Sequence, residues 1–75
     1  MEVFTSAGGG LRYWHLRRRW RPGGWTVTAR SRDEVFAGEP TGWRASGELM
    51  VKVRAEIERT GRPGSLRAVE PVRAA

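Results

Sequence analysis

The four residues Arg21-Pro22-Gly23-Gly24 separate two runs that alternate apolar or aromatic side chains with polar ones, Leu11–Trp20 and Trp25–Arg30. That pattern dictates a β-hairpin. Pro22 presets φ at the first central turn position, and Gly23 can supply a positive φ at the second, so a type II or bulged turn is predicted. Val3–Ser6 reads as a further strand entering through Ala7-Gly8-Gly9-Gly10. Glu34–Ala37 reads as another, joined to the hairpin by Ser31-Arg32-Asp33.

From Ser46 the period changes. Leu49, Met50, Val53 and Ile57 recur at helical spacing, while Glu48, Lys52 and Glu56 form an i,i+4 ladder on another side. Ser46 is the expected N-cap, with Glu48 in the first turn and Gly61 followed by Pro63 as the stop, which places a helix at about 46–60. The tail has Leu66 and Val69 to bury but no period, and a short turn or fraying is expected there. The fold class that follows is α+β: a small antiparallel sheet of three or four strands packed on one C-terminal amphipathic helix. Residues 1–61 form its single domain and residues 62–75 a C-terminal tail.

Seventy-five residues bury a small core, and with no cysteine present neither a disulfide nor a thiolate metal site supports it. Self-association as a homodimer is open to such a chain. No apolar run has the length of a membrane span, and MEVFTSAGGG has no basic region followed by an apolar stretch, so a cytoplasmic protein without membrane association is expected.

Side chains alternate across a strand, so Trp14 and Leu16 share one face with Trp25, Val27 and Ala29, and these meet the helix. The other face collects Tyr13, His15, Arg17 and Arg19 opposite Thr26, Thr28 and Arg30. Residues 11–32 hold seven arginines and no acid, whereas the remaining 53 residues carry seven bases and eight acids. The chain's net +6 is therefore local. Arginine outnumbers lysine 13 to 1, a bias that a GC-rich gene produces unaided, so position informs more than number. A basic two-stranded ribbon suits nucleic acid, DNA ahead of RNA, because it can enter a major groove where arginine contacts guanine and threonine touches phosphate or a thymine methyl. The expected binding residues are Tyr13, His15, Arg17, Arg19, Thr28 and Arg30, with Arg12, Arg18, Arg21 and Arg32 flanking as phosphate contacts. Asn and Gln are absent, so adenine cannot be read bidentately and low sequence discrimination follows. On a single strand or RNA, Tyr13 and His15 are the candidates for base stacking.

Catalytic and cofactor motifs are missing. His15 is the only histidine, no Gly-x-Ser-x-Gly occurs, and the carboxylate pairs Asp33-Glu34 and Glu56/Glu58 fall in a turn and on a solvent-facing helix turn. Gly8-Gly9-Gly10 leads into a strand without the Gly-Lys-Ser/Thr and helix of a phosphate cradle. A non-enzymatic module with no cofactor is expected. Trp14 and Trp25 are read as core, Trp20 as a candidate exposed anchor beside the turn, and Trp43 as a cover for the helix start.

Two resemblances add expectations. Strands followed by a helix, with Gly42-Trp43-Arg44 leading into it, resemble the sheet-plus-helix DNA-binding modules at the N-terminus of tyrosine recombinases, which read DNA with the exposed sheet face. Pro40-Thr41-Gly42-Trp43-Arg44 and Arg62-Pro63-Gly64-Ser65-Leu66 resemble the P-x-G-W and R-P-x-S-L fragments of the MbtH-like proteins, in the family order and over about ten of the 75 residues. That resemblance implies a three-stranded sheet with a helix and, as partner, the adenylation domain of a nonribosomal peptide synthetase. The family's N-x-E-x-Q, Ser-x-Trp-Pro and Trp-Thr-Asp segments are absent, and only Trp43 matches its partner-binding tryptophans. A protein-interaction surface of Trp20, Pro40, Trp43 and Arg44 is thus the alternative to nucleic-acid binding.

Overall fold

The computed structural model describes residues 1–32 and 34–69. Five strands, β1 (Glu2–Thr5), β2 (Arg12–Arg21), β3 (Gly24–Arg30), β4 (Val35–Gly38) and β5 (Arg67–Ala68), form one antiparallel sheet in the order β1-β2-β3-β4-β5, with α1 (Trp43–Thr60) inserted between β4 and β5. The fold is α+β, as the two periods require, with one strand more than the alternation reveals.

Register fixes which side chains are buried. Trp14 pairs with Val3, Leu16 with Ala29, and Ala29 in turn with Phe36, so one face gathers the buried apolar positions Val3, Trp14, Leu16, Val27, Ala29 and Phe36. Val53 and Ile57 of the helix close onto it, with Leu49 and Met50 packed at the margin. Trp14, Leu16, Val27, Ala29, Val53 and Ile57 are wholly removed from solvent. One helix covers one face; among the described residues the opposite face of the sheet has no second layer, and the shortest principal extent is 17 Å.

The tip of the β2–β3 hairpin departs from the type II expectation. Arg21 pairs with Gly24 across Pro22-Gly23, and the positive φ falls on Gly24 (129°), not on Gly23. The positive φ is thus carried one residue later than expected, and the ladder runs unbroken through Trp20–Trp25 to Arg21–Gly24, so neither a type II turn nor a bulge closes the hairpin.

The helix begins three residues earlier than its Ser46 signal. Gly42 is the N-cap, in extended backbone and without a side-chain cap, and the Ser46 N–H makes a helical bond to the Gly42 carbonyl (2.8 Å). Ser46 is a fully buried residue of the helix body whose hydroxyl donates to the Trp43 carbonyl (2.7 Å), the back-bonding that a serine inside a helix adopts in place of capping. Glu48 accordingly lies beyond the first turn, which contains no acid. The stop is where it was expected: Gly61 is left-handed (φ 86°) and its N–H returns to the Ile57 carbonyl at 2.8 Å.

After the helix, residues 62–69 return to the sheet. Pro63 and Leu66 are buried, the Glu56 carboxylate accepts from the Ser65 N–H (2.8 Å) and from its hydroxyl, and Phe36 pairs with Ala68. Glu56 is therefore engaged with the tail, and the i,i+4 ion pair of the helix is Arg54–Glu58 (3.4 Å). Asp33 and the expectation of fraying at residues 70–75 lie outside the described residues. No described helix is long and apolar enough to cross a membrane.

Candidate nucleic-acid interface

The uncovered face is built row by row from the register. Phe4 stands beside Tyr13; Glu2, His15, Arg30 and Val35 form the next row; Arg17, Thr28, Ala37 and Arg67 the one after. Arg19 beside Thr26, then Arg21 beside Gly24, complete the hairpin. A shallow concavity runs along these rows, lined by His15, Arg17, Arg19, Arg21, Thr26, Thr28, Arg30 and Val35. The sequence-derived face is thus assembled as alternation requires, and Arg21 belongs to it directly.

Its electrostatics are one-sided. Arg67 at the β5 edge is neutralised by both carboxylate oxygens of Glu39 (2.9 and 2.7 Å), whose hydrogen bonds first and charge second raise the arginine's pKa above its ordinary value. Arg17, Arg19, Arg21 and Arg30 make no ion pair with any acid among the described residues. Side chains at alternate positions of one strand are about 7 Å apart and neighbouring strands about 5 Å apart, so four like charges share a small patch. Such an arrangement gains when a polyanion replaces water and mobile counterions. At the Tyr13 end, desolvation at the sheet surface and then the Glu2 carboxylate raise the phenol's pKa above its ordinary value.

Two arginines assigned to the interface lie elsewhere. Arg18 has the parity of Leu16 and faces the helix: its guanidinium carbon stands 3.5 Å from the Trp43 ring centroid and Nη1 lies 3.4 Å from the Ser46 hydroxyl. Arg12 has the parity of Trp14 and is bound to Glu34 (3.0 Å), which also holds Arg62 (3.0 Å). Adjacent residues of a strand point to opposite faces, so Arg17-Arg18-Arg19 cannot act as a single cationic block. Arg32 lies beyond the strand, in a second hollow with Leu11, Arg12, Tyr13 and Ser31. The Ser31 hydroxyl donates to the Tyr13 carbonyl at 2.9 Å and fixes that corner.

The face is also broader than a ribbon. At the His15 and Arg17 rows four strand backbones stand side by side and span roughly 14 Å before side chains are counted, against a major groove about 12 Å wide, whereas the Arg19 and Arg21 rows at the hairpin tip are two-stranded. Two residues absent from the expected set stand on it. Phe4, 60% exposed, packs against Tyr13, 41% exposed, with ring centroids 5.1 Å apart, and Glu2 occupies the adjoining row. The alternation of β1 contains this information once its register is known.

On the helix side, tryptophans gather where the helix starts. Trp25 is half-buried and meets Trp43 edge-on at 5.0 Å; Trp20, the cross-strand partner of Trp25, is 62% exposed and Trp43 is 60% exposed. Trp43 is thus the helix's first residue and lies on Arg18 and Trp25, leaving its outer side to solvent. Arg44 lines an open groove with Trp43, Gly47, Val51 and Lys52, whereas Pro40 sits in a separate hollow beside Gly24 and Thr26. The alternative surface is therefore divided between two hollows. No three His, Cys, Asp or Glu side chains converge in a metal-holding group among the described residues.

Comparison of the chain with protein-family models, with curated proteins and with solved structures finds no match.

Proposed function

We propose that this protein is a small non-enzymatic module that binds nucleic acid through the open face of its sheet, with Arg17, Arg19, Arg21 and Arg30 contacting phosphates and Thr26, Thr28 and His15 supplying polar contacts between them. The observation that carries the reading is the segregation of charge: four arginines with no acid partner among the described residues share the sheet face that no described element covers. Backbone contacts dominate, and with neither Asn nor Gln in the chain discrimination among sequences is low. A salt titration tests this. Four phosphate contacts give a slope of log K against log salt of roughly −3.6 on duplex DNA and roughly −2.8 on a single strand, and a slope near zero removes the reading.

The second reading, a protein-interaction module, is favoured by Trp20 and Trp43, which remain largely exposed on the other side of the hairpin. An MbtH-like partner, the adenylation domain of a peptide synthetase, is the specific form of it. Trp43→Ala separates the two. Nucleic-acid affinity is expected to stay within about two-fold, because Trp43 and the arginine face lie on opposite sides of β3, whereas a tryptophan anchor at the centre of a protein interface accounts for about 2 kcal/mol or more. A partner recovered equally with and without nuclease, and lost with Trp43→Ala, favours the second reading.

A further inference from the structure

We propose that the open face takes unpaired nucleic acid: a single strand whose bases stack on the Phe4–Tyr13 pair while its phosphates run along Arg17, Arg30 and Arg19. This rests on the nucleic-acid reading of the face and names its ligand class.

Three observations lead to it. The two rings stand on the same face as the arginines that lack acid partners among the described residues, one row beyond His15, Tyr13 on the strand of Arg17 and Arg19 and Phe4 one strand over, so one bound chain reaches both. Both rings are substantially exposed, which is costly in water unless something apolar covers them, and the pair is held by the β1–β2 ladder. In a duplex the base faces are occupied by neighbouring base pairs, and only their edges and the phosphates are presented. A single strand offers free base faces, and aromatic platforms bordered by cations are how proteins hold them without reading sequence.

The polarity of the face fits the same ligand. Glu2, on β1 beside Phe4 and close to Tyr13, repels phosphate from the β1 edge where the rings stand, while Arg17 on β2 and Arg30 on β3 attract it towards the middle of the sheet. Bases are thereby directed to the aromatic end and the backbone to the arginine end. The breadth of the sheet at the His15 and Arg17 rows agrees: four strands side by side make a surface on which an extended strand lies, not a wedge that enters a groove.

The experiment compares binding of labelled oligothymidylate and oligouridylate of about 12 nucleotides with a duplex of the same length, by fluorescence anisotropy at low salt, for the wild type and for Phe4→Leu with Tyr13→Leu. Leucines keep the apolar cross-strand pair but remove the π-faces. Single strands are expected to bind wild type more tightly than duplex, and the double variant to lose about 5- to 100-fold on single strands while duplex affinity changes less than about two-fold. Phe4→Tyr, which keeps a ring, is expected to retain single-strand binding. Tighter binding of the duplex by wild type, or an unchanged single-strand affinity in the leucine variant, overturns the inference while leaving nucleic-acid binding intact. Binding of no probe overturns both. Should the leucine variant unfold, a fluorescent adenine analogue within the single strand decides: quenching on wild type and not on Arg17→Glu with Arg19→Glu supports stacking, and unchanged emission on saturated wild type refutes it. Preference for either sugar satisfies the inference, since both strands present base faces and phosphates.

Discussion

Reversing the charge of Arg17 and Arg19 together is expected to lower nucleic-acid affinity at low salt by about three orders of magnitude, while Arg18→Ala, at the position between them, leaves it within about two-fold. The magnitude follows from counting charges. Each arginine at a phosphate contributes about 1 kcal/mol at solvent-exposed distances, and replacing it with glutamate removes the attraction and adds a comparable repulsion. Two sites together lose about 4 kcal/mol, a factor near 1000. Neither residue is buried or bonded to the core, so melting temperature is expected to move little. Arg18 reverses the pattern: its guanidinium lies over Trp43 at 3.5 Å, so Arg18→Ala costs about 1 kcal/mol of stability through the lost cation–π contact and leaves binding alone. Anisotropy titrations and thermal melts of the two variants separate an interface defined by face from one defined by arginine content. Equal losses of affinity at Arg17 and Arg18 contradict the former.

How far the sequence discloses this arrangement depends on the range of the interaction involved. Alternation is local, so the assignment of Trp14, Leu16, Val27 and Ala29 to the core and of Arg17, Arg19, Thr28 and Arg30 to the open face follows from spacing alone, and the register agrees with it. The same rule already turns Arg12 and Arg18 inward, and their inclusion among the binding residues came from their place in the charge run rather than from parity. Phe4 was missed because its neighbour is set by how Ala7–Gly10 closes the β1–β2 connection, a three-dimensional constraint: Gly8, Gly9 and Gly10 all take positive φ there. The two residues of β5 are too few to show a period, and their placement depends on Glu56 holding Ser65 and on Leu66 entering the core. The helix start was displaced because Ser46 satisfies its hydroxyl inside the helix, leaving the N-cap to a glycine that carries no side-chain signal.

The largest effect on stability is expected from Gly61→Ala, at a position that joins the helix end to the first hairpin. Gly61 is buried, has φ of 86°, and terminates α1 through its N–H to Ile57. An L-residue held in the left-handed region costs about 1–2 kcal/mol before any contact is considered. A β-carbon here also falls 2.6 Å from the Ala7 carbonyl oxygen and 3.2 Å from its carbon, backbone atoms that cannot move without shifting the β1–β2 loop. Conformational strain and collision together cost about 3 kcal/mol or more, out of roughly 4–11 kcal/mol for a domain of this size. The expected result is a fall in Tm of about 12–24 °C in a circular-dichroism melt. Gly64→Ala is the matched control: no atom lies within 4 Å of its added carbon and its φ is not positive, so its Tm stays within a few degrees. Because Ala7 and Gly61 lie on the side of the sheet away from the arginines, Gly61→Ala is expected to bind nucleic acid normally at temperatures where it is folded. Equal stability of the two alanine variants refutes the close approach of helix end and loop, and with it the support that holds β1, and Phe4 on it, against the hairpin.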